Sequence, residues 1–181
     1  MKSVLTYTCA AELALCALAP PQMPFAQDCF EQAYFSGATV YALPLLGDAF
    51  MNRCSSELSA TGFMATQGEA FLEPYRARQD ANWPATLRIL QLFGDRGSGP
   101  DGLSELVNSL PESALRPFVD AVIGTMVIKE IKLEDCAKIE RGVELLSPLP
   151  PENVGGLMSF LMDMAGVKNP EICPYRGDGV E

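Results

Sequence analysis

The clearest chemistry in this sequence belongs to four cysteines that follow its N-terminal segment: Cys29, Cys54, Cys136 and Cys173. An even number of cysteines behind a secretory segment favours two disulfide bonds. The alternative is a set of buried free thiols in a cytosolic protein. A metal site is disfavoured, because no pair has the C-x-x-C spacing and the chain contains no histidine.

The pairing of these cysteines stays open at this stage, because four cysteines allow several connectivities. Cys136 and Cys173 flank a predicted helical hairpin and tail, so they could meet. Cys29 and Cys54 bracket one long segment of helical periodicity. If that segment is a straight helix, they lie about 38 Å apart and cannot bond. If it folds back at Pro44, they can.

Acidic side chains concentrate in one region, and paired carboxylates there could serve acid–base catalysis or cation binding. These residues are Glu130, Glu134, Asp135 and Glu140. Lysines and arginines are interleaved with them, which is typical of a solvated helix face. The absence of histidine excludes Ser-His-Asp and Cys-His catalysis. We therefore predict no catalytic residue, no metal ligand and no cofactor, and a carboxylate- or cation-dependent enzyme is the second alternative function.

Methionines and aromatic residues crowd the last predicted helix. Phe160 and Met162 lie off its main apolar stripe, which runs from Val154 to Met164. Methionine side chains adapt to varied partner surfaces. We predict that Phe160 and Met162, with neighbouring Met158, form an exposed patch for a protein partner. Packing in the core is the competing interpretation.

Four aromatic residues could line a pocket for a small apolar ligand, namely Tyr34, Phe35, Tyr41 and Trp83. Aromatic side chains at helical spacing more commonly pack in a core. A carrier of a small apolar ligand is therefore the first alternative function.

The N-terminal 27 residues have the pattern of a secretory signal. Lys2 is followed by an apolar stretch from Val4 to Ala19, and Ala26 is a small residue before a polar start. We predict cleavage near Ala26 and a mature chain in the periplasm or outside the cell. Lipid attachment at Cys16 and retention of the segment are the alternatives.

Helical periodicity recurs over residues 28–166, and no segment alternates convincingly as a strand. We predict an all-α, compact, disulfide-pinned bundle of about six short to medium helices forming one domain over 28–166. Residues 167–181 are predicted to be a tail tethered by Cys173. The first helix should kink or break near Pro44, and the second should end before Pro74, because proline disrupts helices.

The strongest helical stripe in the sequence consists of apolar residues that we expect in the core. These are Leu115, Phe118, Val119, Val122 and Met126.

Charge and composition exclude several classes of partner. The formal net charge of −10 argues against nucleic acid and against anionic lipid, both of which need clustered basic residues. Hydrophobic residues make up 48% of the chain, enough for a folded core. We predict no membrane span in the mature chain. The best hypothesis is a non-catalytic periplasmic or secreted protein that binds another protein, in a chaperone-, inhibitor- or immunity-like role.

Overall fold

The computed structural model describes residues 29–95, 103–166 and 171–174. The predicted signal segment and most of the predicted tail lie outside these ranges. The described residues form seven α-helices and a short 3-10 turn at Leu133–Asp135. The helices are α1 (Gln32–Cys54), α2 (Phe63–Arg76), α3 (Gln79–Asp95), α4 (Leu103–Ser109), α5 (Glu112–Glu130), α6 (Cys136–Leu146) and α7 (Pro151–Met164). The all-α prediction is confirmed.

Helix α1 is the central element, and α2, α3, α5 and α7 pack against it. Helix α7 runs antiparallel to α1, because Asp163 lies beside Gln32 while Gly155 lies beside Val40. Helix α5 runs parallel to α1, since Asp120 of α5 lies beside Tyr41 while Ile131, directly after α5, lies beside Arg53. A central helix with neighbours on several sides explains why α1 is apolar around much of its circumference.

The prediction that α2 ends before Pro74 is wrong, and α1 does not break at Pro44. Helix α1 continues through Pro44, which is buried, and α2 continues through Pro74 to Arg76. A proline removes one backbone hydrogen bond, and the packing of the surrounding helix can offset that loss. Pro74 also lies in the last turn of α2, where little helix follows it. Because α1 is continuous, Cys29 and Cys54 lie beyond each other's reach.

The two disulfides join Cys54 to Cys136 and Cys29 to Cys173. The first is fully buried and links the end of α1 to the start of α6. The second ties the tail to the start of α1. There Phe30 donates from its N–H to the Glu171 carbonyl at 2.7 Å and accepts from the Cys173 N–H at 2.8 Å. The Cys29–Cys173 bond thereby ties residues 171–174 to the start of α1.

The expectation that the strongest apolar stripe lies in the core holds for only part of it. Leu115 and Val119 are buried on the side of α5 that faces α1. Phe118 is 43% exposed and Met126 is 57% exposed, while Val122 is half-buried. The reason is that α5 lies at the periphery of the bundle, so only one side of it is covered by described residues.

Candidate functional site

The candidate site lies at the C-terminal end of α7. The helix begins with Pro151 in its first turn, where the missing N–H costs nothing, and Glu152 follows at the positive end of the helix dipole. It stops where Gly166 adopts a φ of 62°, a left-handed conformation that glycine adopts most readily.

Small residues form the inner face of α7. Val154, Gly155 and Ser159 are all buried, and Ser159 is 1% exposed. A Cβ on Gly155 would lie 2.6 Å from Ser36 Oγ and 2.7 Å from the Ser36 carbonyl oxygen. The backbones of α1 and α7 can approach this closely only because position 155 has no side chain.

The large apolar residues near the end of α7 point away from this interface. Phe160 is 48% exposed, Leu161 is 47% exposed and Met164 is 70% exposed. Positions 160, 161 and 164 share one side of a helix. We call these three residues the α7 apolar face.

The structure does not bring the three residues of the predicted patch together. Phe160 is exposed, whereas Met158 and Met162 are half-buried. Those two methionines follow Val154 at intervals of four residues and therefore lie on the side of the helix that faces α1. Leu161 and Met164, which lie within the predicted apolar stripe from Val154 to Met164, are exposed on the outer side instead. The small residues Gly155 and Ser159 mark the side of α7 that packs against α1, and Leu161 and Met164 lie away from that side.

A set of polar contacts fixes the end of α7 against the start of α1. Gln32 donates from Nε2 to Asp163 Oδ2 at 3.3 Å and to the Cys173 carbonyl oxygen at 3.1 Å. Ser159 donates from Oγ to the Gln32 carbonyl oxygen at 3.3 Å. With the Cys29–Cys173 bond, these contacts hold the α7 apolar face on a rigid support. Such pre-organisation reduces the conformational entropy lost on binding.

Two of the four aromatic residues proposed as pocket lining pack together in the core, and one of them, Tyr41, anchors a polar network. Tyr41 is fully buried and packs on Trp83, with ring centroids 5.4 Å apart. Its hydroxyl donates to Asp120 Oδ1 at 2.6 Å and accepts from Arg116 Nε at 3.1 Å. Arg116 also pairs with Asp80 at 2.6 Å. Burial, and next the bond to Asp120, raises the pKa of Tyr41, so the phenol stays protonated at neutral pH.

The other two aromatic residues, Tyr34 and Phe35, are half-buried and lie outside this cluster. Sequence periodicity identifies Tyr41 and Trp83 as candidate site residues. It does not identify Asp120 and Arg116, because they are far from Tyr41 in sequence and belong to no local motif. The network ties α1, α3 and α5 together, and no described residue bonds the buried Trp83 Nε1 beside it.

We expect removal of the hydroxyl group to change the free energy of unfolding differently at the two buried tyrosines. Tyr41→Phe leaves Asp120 Oδ1 without its donor and Arg116 Nε without its acceptor, and it should lower the free energy of unfolding at pH 7 by about 1–2 kcal/mol. Tyr75 is 1% exposed, and no described residue bonds its hydroxyl, so Tyr75→Phe should be close to neutral at pH 7. Urea unfolding of both variants at pH 7 checks this, and equal losses would contradict it.

The same experiment at alkaline pH tests the ionisation of Tyr75. Burial raises its pKa to about 12. The pKa of Tyr75 in the folded protein exceeds the value of about 10 in the unfolded chain. The protonated phenol therefore makes its full contribution to stability below pH 10, and that contribution is lost as the pH rises toward 12. The Tyr75→Phe variant should therefore lose less stability than the wild type over that interval. A parallel decline of the two proteins would contradict this assignment.

The acidic residues do not converge on one cleft. Glu140 Oε1 accepts a hydrogen bond from the Met64 N–H at 2.9 Å, where it completes the start of α2. Asp135 pairs with Lys138 at 2.9 Å, and this hydrogen bond lowers the pKa of the carboxyl group. The other two acids, Glu130 and Glu134, are exposed. Within the described ranges, no group of acidic residues and cysteines has a geometry that could hold a metal ion.

No protein-family model, curated protein or solved structure matches this chain. None of the described helices is both long enough and apolar enough to span a membrane.

Proposed function

We propose that this chain is a non-catalytic protein of the periplasm or the cell exterior that binds another protein through the α7 apolar face. The observation that carries the proposal is the joint exposure of Phe160, Leu161 and Met164, at 48%, 47% and 70%. Apolar side chains that lie together on a surface lower the free energy when a partner covers them. A chaperone-, inhibitor- or immunity-like role fits such a surface.

The rigidity of the surrounding structure supports the same proposal. The α7 apolar face lies between the close α1–α7 crossing at Gly155 and the tail held by Cys29–Cys173. Two disulfides are typical of proteins that work in an oxidising compartment. The predicted signal segment over residues 1–27 supports export on independent grounds.

Charge defines the chemistry of the partner. Helix α7 carries Glu152 and Asp163 and no basic residue, and the whole chain has a net charge of −10. Complementary potential favours association and suppresses wrong partners. The expected partner therefore presents an apolar surface bordered by lysine or arginine.

The test is a single charge placed in the middle of the face. Leu161→Asp should weaken partner binding at least about tenfold, because a buried carboxylate would lose its water without gaining a counter-charge. The matched control is Leu145→Asp, which makes the same change at a leucine of α6 that is 62% exposed.

The three proteins are immobilised and exposed to the periplasmic or extracellular fraction of the native host. A protein retained by the wild type and by Leu145→Asp, but not by Leu161→Asp, is then purified and its dissociation constant measured for each. Retention of the same proteins by all three, or a failure of the wild type to retain any protein, would contradict the proposal. Circular dichroism and thermal unfolding establish that the variants are folded.

A further inference from the structure

The two disulfide bonds differ in how easily a reductant can reach them. Cys54 and Cys136 are both 0% exposed and lie inside an apolar core cluster. Cys29 and Cys173 are both half-buried, where the tail meets the start of α1. Reduction proceeds by attack of a thiolate on a sulfur atom, so its rate depends on access to that atom, and accessible disulfides are the labile and regulatory ones. A reductant should therefore reach Cys29–Cys173 first.

The Cys29–Cys173 bond also lies outside the packed core. Three clusters of buried apolar residues hold the described helices together, and neither these two cysteines nor the adjacent Phe30 and Ile172 belong to them. Phe30 packs instead on Phe93, with ring centroids 5.3 Å apart. The three clusters, one of which contains the other disulfide, therefore keep their contacts when Cys29–Cys173 is reduced.

The bond holds a short part of the tail, residues 171–174, which we call the tethered segment. Ile172 is 4% exposed and forms a parallel β-bridge with Phe30, which is 1% exposed. The two backbone hydrogen bonds of Phe30 also hold the segment, and the Gln32 side chain donates to the Cys173 carbonyl oxygen at 3.1 Å. Ordering this segment costs backbone entropy, and the covalent bond offsets that cost because it keeps the segment beside α1.

We propose that Cys29–Cys173 is a redox-sensitive switch: a dithiol reduces it in the folded protein, and the released segment uncovers Phe30 and Ile172. A thiolate of the dithiol attacks one sulfur, forms a mixed disulfide with that cysteine and expels the other cysteine as a thiolate. The second thiol of the dithiol then attacks the mixed disulfide and expels the first cysteine. Two electrons and two protons thus pass to the protein, which gains two thiols, while the dithiol is oxidised to a disulfide.

The end of α7 keeps its support in the reduced state. Gln32 still donates to Asp163, and Ser159 still donates to the Gln32 carbonyl oxygen, because neither contact involves the tethered segment. Release of the segment therefore adds the apolar surface of Phe30 and Ile172 near the end of α7 and leaves the α7 apolar face in place. This switch is independent of the proposed partner binding, and its test uses no partner.

Timed reduction of the folded, oxidised full chain by dithiothreitol tests the order in which the bonds are reduced. Free thiols are alkylated at each time point and assigned by mass spectrometry of the peptides. Cys29 and Cys173 should be alkylated at least about tenfold faster than Cys54 and Cys136, because the buried bond is reached only when the fold opens. Equal rates, or earlier reduction of Cys54–Cys136, would overturn the proposal.

Hydrogen exchange and dye binding test what this first reduction releases. In the protein reduced only at Cys29–Cys173, amide exchange of the tethered segment should rise at least about tenfold, and exchange in the middle of α2 should not change. The fluorescence of a dye that binds apolar surface should increase, and circular dichroism should retain the helical signal. Unchanged exchange of the segment, or loss of the helical signal at this step, would contradict the proposal.

A double variant separates the release of the segment from the action of the reductant. Cys29→Ser combined with Cys173→Ser cannot form the bond, so it should show the fast exchange and the stronger dye fluorescence without dithiothreitol. Reoxidation of the reduced wild type should restore slow exchange. A variant that matches the oxidised wild type in both measurements would show that the bond does not control the segment, and the proposal would fail.

Discussion

Replacing Cys54 and Cys136 together by alanine is expected to lower the free energy of unfolding by about 4 kcal/mol. The bond closes a loop of 82 residues between the end of α1 and the start of α6. Closing so long a loop restricts the unfolded chain, and that restriction is the main source of a disulfide's contribution in the chain-entropy account. Both sulfurs are also completely buried, so their loss disturbs the packing of Phe50 and Met64 around them.

Urea unfolding under oxidising conditions measures this loss directly. A reductant provides the control, since it should destabilise the wild type strongly and the double variant only through its other disulfide, Cys29–Cys173. If the double variant unfolds at the same urea concentration as the wild type without reductant, the bond does not stabilise the fold as described. Mass spectrometry with and without reduction establishes which thiols are bonded in each sample.

Adding one methyl group at Gly155 is expected to destabilise the protein by about 1–3 kcal/mol, although alanine is the better helix former. The added Cβ would lie 2.7 Å from the backbone oxygen of Ser36, which cannot rotate away as a side chain could. Helices α1 and α7 would have to move apart, and the support of the α7 apolar face would move with them.

The neighbouring glycine provides a matched control, because the same substitution there should raise the stability of the protein. Gly156 is exposed, and no described atom lies within 4 Å of a Cβ built on it. Gly156→Ala should therefore stabilise the helix by up to about 1 kcal/mol. Thermal or urea unfolding compares the two alanine variants with the wild type. A loss of stability in Gly156→Ala as large as that in Gly155→Ala would show that helix packing is not the cause.

The helices could be predicted because apolar residues recur at the helical period over most of the chain. The pairing of the cysteines could not be predicted, because it depends on whether α1 passes through Pro44. A proline inside a helix commonly breaks it, and α1 stays helical through Pro44 because it packs against four neighbouring helices. Once α1 is continuous, Cys29 and Cys54 lie at opposite ends and must each bond elsewhere.

The sequence pattern does not predict which side of α7 faces α1, and the reason is related. Hydrophobicity assigns Leu161 and Met164 to the core, yet the close crossing with α1 requires small residues, and Gly155 and Ser159 supply them. The same ambiguity applies to α5, where Leu115 and Phe118 belong to one predicted stripe, yet Leu115 is buried and Phe118 is exposed. Hydrophobic periodicity identifies a helix, but which of two apolar sides is covered depends on tertiary contacts.

The most direct test of partner binding is site-specific photo-crosslinking in the native host. A photoreactive phenylalanine analogue replaces Phe160 in one strain and Leu145 in another, so that both reactive groups are exposed. Irradiation of the first strain should give one dominant adduct with a different protein, and the second strain should not give it. If position 160 yields no adduct, or if both positions yield the same mixture, the α7 apolar face is not the site at which this protein binds a partner.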